Sequence, residues 1–290
     1  MSERILIAGF GDVAQRLVPL LGRYTPIFAL VRREESAREA RGLGVSPILA
    51  DLTKRATLAR IAIGATTVFH FAPPPQEGWR DTHTRNLLAA LARCPPRKLI
   101  YISTTGVYGD CAGEVIDETR ALNPTSARAV RRVDAEHTLR AWGRHTGVCV
   151  CILRAPGIYA ADRLPIERIK RGTPTLIAAD DVFTNHIHAD DLARAALAAC
   201  RYGRENRAYN IVDDGQQKMA DYIEMVADHF ALPRPPRVAR AEAERTISPM
   251  MMSFLRESRV IGNARMKREL KLKLRYPRVR DFLQELPKAQ

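Results

Sequence analysis

Gly9, Phe10, Gly11, Asp12, Val13 and Ala14 form a G-x-G-x-x-A run directly behind the apolar stretch Ile5 to Ala8. In that setting the first glycine permits a tight turn, and the second lets the backbone approach a pyrophosphate. Ala14 is small enough for close helix-to-strand packing, and the helix N-terminus supplies unpaired N–H groups. The chemistry these residues suit is dinucleotide binding. Where a second strand should end, an acidic residue would bond a ribose 2′-hydroxyl, but the chain reads Leu30, Val31, Arg32, Arg33. Two guanidiniums there suit a 2′-phosphate and predict NADP over NAD, the alternative being solvated surface charges. Asp51, before Leu52, has two readings: a contact to the adenine amino group, or a cap on the next helix. Phe71 and Ala72 end the fourth strand, and Pro73, Pro74 and Pro75 behind them form a rigid wall without backbone donors where the chain must pass the cofactor.

These residues need a scaffold that brings strand ends together. Strands are expected at Ile5 to Ala8, Ile27 to Val31, Ile48 to Ala50, Thr67 to Phe71, Leu99 to Ser103 and Val148 to Arg154. Helices are expected at Val13 to Leu21, Ser36 to Leu43, Thr82 to Arg93 and Arg128 to His145. This β-α alternation predicts an α/β fold: a doubly wound parallel sheet of Rossmann type with ligands outside the carboxyl ends of its strands. Past Arg154 the rhythm is interrupted by Pro156, Pro165 and Pro174, with one more helix at Asp190 to Cys200 and a strand at Tyr209 to Val212. The expected division is a dinucleotide-binding domain at 1–155, to which 181–212 also contribute, and a smaller C-terminal α/β substrate-binding part at 156–290.

Composition limits the alternatives. The 290 residues are 46% apolar and 27% charged, the balance of a folded soluble protein. No apolar run is long enough to span a membrane. The five scattered cysteines include no C-x-x-C, so reduced thiols, no metal site and a cytoplasmic location are expected. The net charge is +14, of which +9 falls from Pro233 onward, where 15 Lys and Arg face 6 Asp and Glu. That charge raises the question of nucleic acid. Without a helix-turn-helix, zinc spacing or aromatic-interleaved basic run, a small anionic ligand is the better expectation.

With the later motifs, the chain resembles the NAD(P)-dependent epimerase/dehydratase family, the extended branch of the short-chain dehydrogenase/reductase superfamily. Ile102 to Asp110 (I-S-T-T-G-V-Y-G-D) resembles the strand-end segment in which a hydroxyl bonds the reacting oxygen, and register from Val107 and Tyr108 assigns that role to Thr104. Leu153 to Tyr159 resembles the segment bordering nicotinamide and substrate, which implies Pro156, Gly157 and Ile158 as cofactor neighbours. Asn185 to Ala193, containing I-H-A-D-D-L-A, and Tyr209 to Val212 match two further family stretches. The resemblance also implies a homodimer through the helices that begin near Thr82 and Arg128.

One departure bears directly on mechanism. Registered on Ala135 and Glu136, the family's Tyr-x-x-x-Lys pair falls on Arg128 and Arg132. A guanidinium cannot exchange a proton near neutrality. Arg132 can still hold a cofactor ribose, and Arg128 can bind a substrate anion or stabilise an oxyanion. Tyr108, four residues past Thr104, is a candidate proton carrier, with packing as its alternative role. His186, His188 and Cys111 are candidates at the same end of the sheet, His188 having the alternative of tying a loop to the helix start at Asp190. Arg259, Arg265 and Lys267 would either meet an anionic ligand or form a solvated basic face. Met250, Met251, Met252, Phe254 and Leu255 would be core filler or a partner surface. The expected function is NADP-dependent hydride transfer on a small, phosphorylated or nucleotide-sugar substrate. The alternative is a catalytically silent NADP-binding protein that regulates or senses redox state.

Overall fold

The computed structural model describes residues 3–22 and 25–287, with the side chain of Met250 outside the described set. Seven parallel strands form the central sheet: β1 (Ile5–Ala8), β2 (Ile27–Val31), β3 (Ser46–Leu49), β4 (Thr67–His70), β5 (Lys98–Thr104), β6 (Cys149–Ala155) and β7 (Arg207–Asn210). Their order is β7-β6-β5-β4-β1-β2-β3. The chain winds outward in both directions from β1 and β4, so a crevice opens above that pair, at the carboxyl ends where Gly9 and Phe71 leave their strands.

The strands are apolar on both faces because helices cover both. Ile5, Ile7, Ile100 and Leu153 face one layer with Ala14 and Leu17 of α1 (Asp12–Leu17), Ala37 and Ala40 of α2 (Glu34–Gly42), and Leu192, Ala196 and Ala199 of α5 (Ala189–Tyr202). Leu6, Val68, Leu99 and Val150 face the other, against Leu87 and Leu91 of α3 (Thr82–Leu91) and Ala135 and Leu139 of α4 (Ala127–Thr146). Small residues on α1 and α5 let those helices approach closely. The first helix is shorter than its apolar pattern predicts. Pro19 lacks an amide hydrogen and its ring opposes the carbonyl four residues back, so α1 ends at Leu17 and Val18–Leu20 continue as a 3-10 turn. Arg55–Ile61 also forms a 3-10 segment.

Beyond β6 the chain builds a smaller layer over the carboxyl ends. It includes α6 (Met219–His229), α7 (Pro249–Leu255) and the parallel two-residue pair Thr175–Leu176 with Arg237–Val238. The segment after α7 then returns to the sheet, where Met266, Leu270 and Leu272 join the first apolar layer.

Between β5, β6 and α4 lies a buried ion pair. Arg154 on β6 donates from Nη2 to Glu136 on α4 at 2.7 Å and from Nε at 3.1 Å, and Ser103 Oγ on β5 donates to the same carboxylate at 2.7 Å. Both side chains are almost wholly buried, so removing one partner leaves a charge without solvent or counterion. Glu136→Ala is expected to destabilise the protein by about 3–5 kcal/mol, read as the shift in urea midpoint at constant slope.

Candidate functional site

A cavity of about 280 Å³ lies above β1, β2 and β4. Gly9 has φ +99°, and a Cβ there would stand 2.4 Å from the Ala72 amide nitrogen, so the β1 turn crosses the β4 exit at backbone contact. A Cβ at Gly11, by contrast, would meet nothing within 4 Å. That open space above a backbone amide is what an approaching phosphate requires. Phe10, Leu52, Phe71, Ala72 and Pro73 supply the walls. Asp51 also lines the cavity while accepting the Thr53 N–H at 2.9 Å, a bond that holds its carboxyl below the usual range. It does not cap the following 3-10 segment, whose start at Lys54 has no side-chain cap; the carboxylate closes its own loop at the edge of the cavity.

Arg32 and Arg33 stand exposed at the rim, and among the described residues neither guanidinium makes a hydrogen bond or ion pair. Ser36 and His83 line the same cavity and carry no motif that singles them out. His83 Nδ1 donates to the Pro73 carbonyl at 2.9 Å, which anchors the proline wall to α3. Asp12 and Val13 do not border this cavity, contrary to the expectation for them. Asp12 instead pairs with Arg16 at 2.8 Å and Arg163 at 3.3 Å, so its carboxylate serves the helix start.

A second, larger cleft of about 570 Å³ opens above β5 and β6 and runs under the smaller layer. Thr104, Arg128, Arg132, Pro156, Gly157 and Ile158 all border it. Thr104 Oγ1 accepts the Gly106 N–H at 3.2 Å, leaving its hydroxyl proton available to a ligand oxygen. Arg132 Nη1 donates to Tyr101 Oη at 2.9 Å and to the Ile102 carbonyl at 2.8 Å, so the guanidinium is pinned against β5. Arg128, one turn earlier, lies over the Phe254 ring at 4.9 Å.

Tyr108 is corrected from candidate proton carrier to structural residue. It is 1% exposed and does not border the cleft. Its hydroxyl donates to Asn210 Oδ1 at 2.7 Å and accepts from Arg154 at 2.8 Å, and burial raises its pKa. His188 also lies away from the cleft: its Nδ1 accepts the Asp190 N–H at 3.1 Å and caps α5. Cys111 is buried and its thiol pushed up by that burial. His186 does border the cleft, stacked on Tyr222 with ring centroids 4.1 Å apart. Arg265 and Lys267 are consumed by Glu118 and Asp214, whereas Arg259 reaches the cleft with Glu257 at 2.7 Å. Met251 and Phe254 prove to be cleft wall, and Arg168 joins them there from the short helix Ile166–Lys170.

Burial sets the protonation of this region. It lowers His186 and His70 from 6.5 to about 4, and raises Asp213 from 3.8 to about 8. Between pH 4 and 6.5 the unfolded chain binds two more imidazole protons than the folded one, while the folded chain keeps one extra proton on Asp213. Stability should thus rise from pH 4 to about 6.5. From there to pH 8 the Asp213 contribution alone remains, and stability falls. Thermal midpoints measured across this range should peak near pH 6.5, and in Asp213→Asn the decline above the peak should vanish.

Comparison with known proteins accords with this geometry. The profile of the NAD dependent epimerase/dehydratase family matches residues 5–212. GDP-6-deoxy-D-mannose reductase of Pseudomonas aeruginosa is 30% identical over 196 residues, a stretch that spans 62% of either chain. A 4-hydroxy-2-methyl-3-oxo-4-farnesyl-3,4-dihydroquinoline-1-oxide ketoreductase of Stigmatella aurantiaca is 25% identical over 238 residues, 76% of this chain and 71% of that protein. Among solved structures, a functionally unknown conserved protein of Silicibacter pomeroyi superposes with TM-score 0.81 at 28% identity, covering 98% of this chain and 97% of its own. UDP-glucuronic acid 4-epimerase of Bacillus cereus, solved with NAD, shares the fold at TM-score 0.77 and 18% identity over 97% and 96%. From its glycine turn to its seventh strand this chain is therefore built as a member of the NAD-dependent epimerase/dehydratase family, and it belongs to that family.

Proposed function

We propose that the chain is an NADP-dependent oxidoreductase that exchanges hydride with a small anionic substrate at the head of β5. The observation that carries the NADP reading is the pair of unpartnered guanidiniums, Arg32 and Arg33, at the rim of the Gly9–Gly11 cavity. A 2′-phosphate would give them the bidentate, charge-assisted partner they lack. When bound, the dinucleotide supplies or accepts the hydride. The chain's own residues bind and orient. Thr104 donates a hydrogen bond to the reacting oxygen, and Arg132, held by Tyr101 and Ile102, presents fixed positive charge beside it, so that the proton itself is exchanged with solvent. The named relatives that act on nucleotide sugars support a substrate of carbonyl or carbinol type that carries negative charge.

A specific observation favours a second reading, a silent NADP-binding regulatory or redox-sensing protein. Arg128 stands where the family's phenol would, and Tyr101 and Tyr108 are buried, do not border the cleft, and have hydroxyls bonded to Arg132 and to Asn210 and Arg154. The two readings separate in one experiment. Tight NADPH binding with no change in nicotinamide absorbance across aldehydes, ketones and nucleotide sugars supports the silent protein. Turnover supports the enzyme, and Thr104→Ala should then lower kcat/KM by about 10². NADPH should bind at least about tenfold tighter than NADH, which corresponds to one favourable charge-assisted contact. Replacing both Arg32 and Arg33 by Ala should remove that preference, and a wild-type preference for NADH would overturn the assignment.

A further inference from the structure

The cleft above Thr104 holds more positive charge than hydride exchange requires. Arg128, Arg132, Arg168 and Arg259 border it, with Glu257 the one carboxylate among its described lining residues. Glu257 is taken by Arg259, and Arg132 is satisfied by Tyr101 and Ile102. Arg128 and Arg168 have no carboxylate partner among the described residues. Among the described residues the Arg168 guanidinium hydrogen-bonds the Met251 sulfur and the Pro174 carbonyl, each at 3.4 Å, both weak or long for a guanidinium, and its buried Nε has no partner there. Burial lowers the pKa of both arginines, and at Arg128 the neighbouring Arg132 lowers it further while Glu257 offsets only part of the effect.

Their placement is specific. Arg128 lies on Phe254 and Arg168 on Met251, and these two residues are three apart on α7. Residues so spaced are neighbours on one helix face, about 5–6 Å apart at Cβ. The two guanidiniums therefore rest on neighbouring side chains of α7 and line the same cleft. At the Arg128 end the cleft meets the reaction centre. The next residue, Ala129, stands 3.7 Å from where a Cβ on Gly106 would lie, and the Gly106 N–H bonds Thr104 Oγ1.

We infer that the cleft takes a compact dianion: a 2-oxo acid or the corresponding 2-hydroxy acid, its carboxylate on Arg128 beside the reacting carbon, with a second oxyanion group on Arg168. The planar guanidinium matches a carboxylate bidentately, and an arginine in place of the phenol makes the group next to the reacting carbon an acid. This rests on the redox reading above. The second oxyanion is a carboxylate or a phosphate, which share the recognition chemistry.

Calorimetric titration of the NADPH-loaded protein tests the inference without turnover. 2-Oxoglutarate and 3-phosphonooxypyruvate represent the two kinds of second group, and the tighter binder identifies it. Either should bind at least tenfold tighter than the monoanion 2-oxobutyrate. Arg128→Gln should weaken binding of both mono- and dianions tenfold or more, whereas Arg168→Gln should weaken the dianions alone. Arg168→Lys, which retains the charge, should recover part of the loss and serves if the glutamine variant fails to fold. Absence of dianion binding at millimolar concentration, affinity unchanged by both substitutions, or tighter binding of uridine diphosphate than of either dianion would overturn the inference. Failure of the wild-type protein to bind NADPH would instead refute the redox reading itself.

Discussion

The Glu136–Arg154 ion pair sets the register of α4, and the register of α4 decides what the cleft contains. Glu136 is drawn to the sheet by two bonds from Arg154 and one from Ser103. Residues four and eight positions earlier in a helix lie on nearly the same face, so Arg132 and Arg128 follow Glu136 toward the strand ends. Rotating α4 away from this position would leave Glu136 and Arg154 uncompensated in a buried site. The pair is also linked outward: Arg154 bonds Tyr108, Tyr108 bonds Asn210 on β7, and the Asn210 backbone bonds Glu118. One buried network thus couples β5, β6, β7 and α4 directly beneath the residues that border the cleft.

That arrangement changes the chemistry available. A lysine beside a tyrosine supplies a phenol able to exchange a proton, and two arginines supply charge and orientation only. The cleft accordingly presents positive charge beside Thr104. The same logic sorts the basic residues elsewhere. Arg265 and Lys267 neutralise Glu118 and Asp214, and Arg207 neutralises Glu269. Arg32, Arg33, Arg128, Arg132 and Arg168 border the two cavities without an ion pair to a carboxylate among the described residues, and of these Arg132 is held by Tyr101 and Ile102.

The two cavities divide the labour along the sheet. The one above β1, β2 and β4 is shaped by backbone, through the crossing at Gly9 and the open face of Gly11. The one above β5 and β6 is shaped by side chains from separate elements, including Met251 and Phe254 of α7 and His186 at the edge of the smaller layer.

What the sequence determined by itself is whatever depends on neighbours along the chain. The β-α alternation, the Gly9 turn, the arginines ending β2 and the substitution of Arg128 and Arg132 in a helical i, i+4 spacing are all local patterns, each with a local physical reason. Tertiary structure decided the rest. Tyr108 sits only four residues from Thr104, yet a 3-10 turn sends its ring beneath the cleft to Arg154 and Asn210. Arg168 lies in a stretch without a motif, and becomes a cleft residue because the smaller layer folds back over β5 and β6. Arg259, Arg265 and Lys267 look alike in the sequence, but folding brings Glu118 and Asp214 to the last two from distant segments, whereas Arg259 pairs with its chain neighbour Glu257 and reaches the cleft. A charge's type is written in the chain, but its freedom to meet a ligand depends on which opposite charge the fold places beside it.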